Sequence, residues 1–521
     1  MDRTRRVRAD VRGLQALPEP QEPGSRQHSS RFCRCTGHAA AGAMDSYPKL
    51  LHSHRIHFPN NEASLVFPAA AFLRSPGARP PFYLPEGSTG QPHAIPVCSH
   101  RTFSYLCATM IPYTRKTLPN GLTVVVNRDR ASKLAAVNIL YRVGARNENP
   151  ARTGFAHLFE HLMFRGTRAV ENFDLPVQMA SGDNNAFTNN DYTDFYITLP
   201  KDNLETALWL ESDRMEGLDI TPAKLEAEKK VVIEEFRQRY LNQPYGDQTM
   251  LLRALAYKVH PYRWAAIGLA TDHIAGATLA DVESFYRAHY RPSNAILSIS
   301  ADMEEERMLE LAEKWFAPLA DHPSATAAIP QEPMQTQARR QEVERDVPAS
   351  TVTVAYHMCA RTKLDFYTAD LVSDLLSGGD SGRLYTHLVK ERNLLSSVNA
   401  YITGDVDPGL FVFTGQLLPG VTPEAAEAAF REEIEALQTT VATAYEIEKV
   451  KNKFEANTLF GELNVMNKAM NLGFYEMLGD LSLINREVDR YRAVTDEDIR
   501  SFSRRTLRPE NSSTLIYNAR K

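Results

Sequence analysis

Between Phe155 and Met163 the apolar residues Phe155, Leu158, Phe159, Leu162 and Met163 recur at i, i+3, i+4, i+7 and i+8, the repeat of one helix face. The polar residues His157, Glu160 and His161 fall on the opposite face at i, i+3 and i+4. Around this helix the chain reads as a mixture of strands and helices. Residues 122–126 form a β-branched run behind the turn signal Pro119-Asn120-Gly121, and 135–143 read as a second strand closed by Gly144. Helical periods run over 203–215 and 222–240. A stretch rich in Pro, Ala, Gln and Thr at 319–348 reads as a linker. A second mixed block of similar size, 349–521, follows it.

The two blocks share a pattern. Residues 278–294 and 495–511 match at eight of seventeen positions without a gap. In both, a helix opening on Thr leads through Arg-Pro into a strand. Chance supplies two or three such matches at most, so an internal duplication is the better reading. The expected fold class is α+β: two homologous mixed α/β half-units of about 200 residues, joined by a linker and closing as a clamshell over a cleft.

Composition changes this picture at one place. Residues 1–109 hold four of the five cysteines and 12 of the 30 prolines, with 13 basic residues against 7 acidic ones. They carry no sustained helical or strand period. This stretch reads as a disordered or mis-assigned extension, with the ordered chain beginning at Met110. The first half-unit is then 110–318 and the duplicated one 349–521. The remaining cysteine, Cys359, excludes a disulfide framework and suits a reducing compartment. With no signal peptide evident before the domain, the expected compartment is the cytoplasm. A net charge of −5 gives no reason to expect nucleic-acid binding, and no apolar run is long enough for a membrane span.

The candidate chemistry lies on the polar face of the first helix. Two imidazoles one helical turn apart can hold a single Zn²⁺ ion, and the Glu between them sits beside the metal without having to ligate it. Glu160 is placed to accept a proton from water acidified by the ion. The plainer alternative is a core helix with two satisfied histidines and a surface Glu. A catalytic zinc site needs a third protein ligand, and the stretch from Glu228 to Glu235 supplies candidates. Glu228 and Glu235 lie two turns apart on one face, with Val231, Val232 and Ile233 between them. Spacing does not choose between the two carboxylates.

His157-Leu-Phe-Glu160-His161 resembles the inverted zinc motif of the pitrilysin/insulinase metallopeptidases, the inverzincins. The resemblance extends over nearly all of 113–521, including Gly144-Ala-Arg-Asn147-Glu148 and Asn185-Ala186-Phe187-Thr188. It is nearest to the bacterial and mitochondrial-processing-peptidase branch. It implies one zinc ion per chain held by His157, His161 and Glu235, with Glu228 as an assisting carboxylate. It implies that Asn185 and Ala186 bind an extended peptide by strand addition. It also implies a dimer closing round a peptide substrate. One departure stands out: the positions matching the family's substrate-gripping Arg and Tyr are Lys390 and Ser397. The expectation is a zinc endopeptidase acting on peptides or unfolded chains, paired with an inactive paralogue that supplies the Arg/Tyr pair. The competing expectations are a non-catalytic zinc-binding subunit of a larger complex and a peptide-binding scaffold.

Overall fold

The computed structural model describes residues 110–322, 328–440 and 442–520. The extension read at 1–109 lies outside them. Two sheets organise the chain. The first comprises β1 (Thr114–Thr117), β2 (Thr123–Arg128), β3 (Leu134–Tyr141), β4 (Asp183–Thr188), β5 (Thr193–Pro200) and β6 (Ala295–Ala301), in the spatial order β1-β2-β6-β3-β5-β4. The second comprises β7 (Arg339–Arg345), β8 (Thr351–His357), β9 (Leu395–Ile402), β10 (Leu410–Leu417) and β11 (Ser512–Ala519), in the order β7-β11-β8-β10-β9.

Apart from the extra β1, the two orders are the same. β6 runs parallel to β2 and antiparallel to β3, and β11 runs parallel to β7 and antiparallel to β8. The duplication read from the sequence is therefore a repeat of topology. Within the stretch read as a linker, 319–348, Arg339–Arg345 is strand β7. Its sequence Arg-Arg-Gln-Glu-Val-Glu-Arg has no apolar alternation because β7 is an edge strand.

The helices include α1 (Phe155–Leu162), α2 (Pro222–Phe236), α3 (Gln248–Ala256), α4 (Leu279–His289), α5 (Val465–Leu478) and α6 (Asp496–Thr506). β2 is buried along almost its whole length, which requires cover on both sheet faces. Val124 and Val126 point into a core shared with α1, α2 and α4, while Val125 points into a second cluster with Leu472 and Tyr475 of α5. Thus a helix from the second half covers the first sheet. The exchange is mutual, because Leu252 and Ala256 of α3 pack on Ala355, Val412 and Leu515 of the second sheet. Close approach of α5 requires Gly473, where an added Cβ would lie 2.9 Å from Asn138 Oδ1. Among the described residues no helix is long and apolar enough to cross a membrane.

Candidate metal centre

α1 forms as its pattern predicts, with Phe155, Leu158, Phe159, Leu162 and Met163 buried in the first core. Phe159 stacks on Phe285 of α4, ring centroids 5.3 Å apart. Its N-terminus is fixed by Gly154, whose φ of +91° few other residues adopt and whose added Cβ would lie 2.6 Å from the Ile267 carbonyl oxygen. The Glu148 carboxyl accepts the Gly154 and Ala156 N–H groups at 2.9 and 2.8 Å, satisfying donors that the helix leaves open. Burial pushes Glu148 up to about 8, against the pull of those backbone bonds.

α2 starts at the Thr221 cap, whose side chain accepts the Lys224 N–H. Its buried stripe is Leu225, Glu228, Lys229, Val232 and Phe236, so Glu228 lies on the buried face itself and only 1% exposed. Val231 faces outward. The helical pattern read over 222–240 divides in the structure: α2 ends at Phe236, and Arg237–Leu241 continues as a wider π turn.

The two helices bring five sequence-read residues together. His161 Nε2 lies 3.4 Å from Glu235 Oε2, and His157 Nε2 lies 3.8 Å from the same oxygen. His161 Nδ1 is 3.4 Å from Glu228 Oε2. One ligand atom from each of His157, His161 and Glu235 lies within 4.8 Å of the other two. The structure thereby separates the two carboxylates that spacing left equivalent. Glu235 shares a centre with both imidazoles, and Glu228 backs His161 from its other nitrogen. Glu160 lies beside this centre, with Thr188 at the end of β4 among the groups near its carboxyl.

The electrostatics suit a cation. Burial pulls the His161 imidazolium down, but hydrogen bonds to Glu228 and Glu235 more than offset it and carry its pKa up to about 9. Burial works to raise Glu235, yet the His161 hydrogen bond and the charges of His157 and Arg239 hold it at about 2. Burial raises Glu160 above the usual carboxylate range, with His161 and Thr188 opposing. Two imidazoles and one carboxylate oxygen form the donor set of a three-ligand zinc site, and their separations suit a single ion.

Asn185 and Ala186 lie on β4, at the sheet edge, and β4 reaches the centre through Thr188. Three contacts were not foreseen from the sequence. Arg165 pairs with Glu228, Arg239 pairs with Glu235, and Thr188 lies near Glu160. A buried carboxylate calls for a counter-charge, and Arg239 four residues after Glu235 was the available signal. In the second half, Lys390 lies 4.9 Å from the centroid of the Tyr385 ring, and Ser397 sits on the edge strand β9 opposite Gln416. Arg383 grips Glu446 with two hydrogen bonds.

A repeated α+β unit with paired histidines on one helix and a converging carboxylate on another presents a candidate metal centre. Comparison with known proteins narrows the reading. The family model described as Insulinase (Peptidase family M16) matches residues 123–264, and Peptidase M16 inactive domain matches 276–454. The chain is 33% identical to the zinc protease PqqE of Helicobacter pylori over 341 residues, 64% of this chain and 77% of that protein. It is 25% identical to a probable mitochondrial-processing peptidase subunit beta of Schizosaccharomyces pombe, over 75% of this chain and 88% of that one. The crystal structure of a protease from Helicobacter pylori superposes with a TM-score of 0.75 at 28% identity, covering 78% of this chain and all of that one. The chain belongs to the pitrilysin/insulinase (M16) family of zinc proteases.

Proposed function

We propose that this chain is a zinc-dependent endopeptidase that hydrolyses peptides or unfolded polypeptides within a closed chamber. The observation that carries the reading is the convergence of His157, His161 and Glu235 on one point, with Glu160 beside it. His157, His161 and Glu235 would hold the ion. When bound there, zinc supplies Lewis-acid polarisation of the scissile carbonyl and acidification of water. Glu160 accepts the proton of the attacking water and returns it to the leaving amine. A carboxyl raised by burial is suited to both transfers. Glu228 holds His161 through Nδ1, fixing which nitrogen faces the centre. Asn185 and Ala186, on edge strand β4, offer backbone to an extended substrate that joins the sheet as a further strand.

The chain works as a dimer, with an inactive paralogue contributing an Arg/Tyr pair. Supporting this are Lys390 and Ser397 at the corresponding positions. The match of 276–454 to an inactive domain favours a second reading, a zinc-binding subunit or peptide-binding scaffold without turnover. Cleavage of a quenched-fluorescent unstructured peptide by the full chain decides between them. Activity abolished by a chelator and restored by zinc supports the peptidase. Bound zinc without cleavage, alone and with the paralogue added, supports the scaffold.

A further inference from the structure

One residue after Glu235 the helix leaves α geometry, and the π turn Arg237–Leu241 carries two arginines. They are used differently. Arg237 pairs with Glu234 at 3.7 Å, both side chains more than half exposed, an arrangement that contributes little. Arg239 Nη2 instead lies 2.9 Å from Glu235 Oε1, with both side chains largely sheltered. The other oxygen, Oε2, is the one that faces both imidazoles, at 3.4 and 3.8 Å. The two oxygens of Glu235 are thus divided: one is held by a guanidinium and one is turned to the histidine pair. A carboxylate reaching into a cavity without such an anchor is free to rotate about its terminal bond. π turns inside helices recur at functional sites because they re-aim side chains.

We propose that Arg239 is a positioning residue that fixes the rotamer of Glu235 and so sets the affinity of the centre for zinc. The proposal rests on the zinc reading above. Groups that orient metal ligands tune affinity by about 10–100-fold. Lysine would keep the charge but lose the planar fork that defines the direction of the contact.

The test is zinc affinity of the full-length chain, measured by competition with a chromogenic chelator, for wild type, Arg239→Ala, Arg239→Lys and Arg237→Ala. Circular dichroism establishes that each is folded. If Arg239→Ala fails to fold, Arg239→Gln replaces it in the same assay. Arg239→Ala should bind zinc about 10–100-fold more weakly. Arg239→Lys should lie between it and wild type, and Arg237→Ala should match wild type. Wild-type affinity in Arg239→Ala overturns the proposal, including the case where only KM for peptide rises, which would make Arg239 a substrate contact. An equal loss in Arg237→Ala also overturns it, because the effect would then be one of general charge. A wild-type chain that binds no zinc overturns the zinc reading and this proposal together.

Discussion

His157, Glu160 and His161 share a helix face but differ in what surrounds them. The two histidines meet Glu235, whereas Glu160 lies near Thr188 and stands aside from the ligand set. Glu160→Gln should therefore retain zinc while kcat falls by about 10²–10⁴-fold, the usual contribution of a positioned general base. Parallel metal analysis and peptide turnover check this, and near-normal turnover removes Glu160 from the proposed role. Beneath the same sheet, Arg214 pairs with Glu211, both almost wholly buried, and its guanidinium lies 4.2 Å from the Phe195 ring centroid. Removing one partner leaves a buried charge unmatched. Arg214→Met should lower stability by about 3–5 kcal/mol, read as a reduced denaturant midpoint.

The repeated element has matching ends. Thr278 accepts the Asp281 N–H at 3.2 Å and donates to its carboxylate at 2.6 Å, and Thr495 makes the same pair of bonds with Asp498 at the same distances. Thr278→Ala and Thr495→Ala should each cost about 1 kcal/mol, and by similar amounts, in equilibrium unfolding. These caps, the Arg-Pro turns and the strands after them were legible because local residues dictate them. So was the two-faced character of α1, since Phe155, Leu158 and Phe159 leave His157, Glu160 and His161 no other side to occupy. Spacing could not choose between Glu228 and Glu235, because both fall on one helix face; the family resemblance pointed to Glu235, and the position of α1 distinguishes the two. β7 escaped because an edge strand with polar residues on both faces shows no alternation. The change from α to π winding after Phe236 is announced by no residue pattern here.

The larger arrangement depends on exchange between halves. Nothing local in α3 or α5 says that each covers the sheet of the other half. Between the halves lies a buried polar junction. Asn190 Nδ2 donates to Asp405 at 2.7 Å, the Val406 N–H donates to Asp191 at 2.9 Å, and Arg146 bridges Asp191 and Asp407 at 3.0 and 2.9 Å. Burial, and then the charge of Asp191, push Asp405 up to about 7, with Arg253, Thr403 and Asn190 opposing. A carboxyl whose folded pKa is raised binds protons more tightly when folded. Its contribution is full below the unfolded value of 3.8 and is lost as pH rises through about 7. The contribution of this group should therefore fall between about pH 4 and about pH 7, and Asp405→Asn should flatten that slope. An unchanged slope in the variant would assign the pH dependence to other groups. The centre itself is tested most directly by counting tightly bound zinc per purified chain in wild type and in His157→Ala. One zinc is expected in wild type and none in the variant. No zinc in wild type, or as much in His157→Ala as in wild type, would contradict the metal assignment.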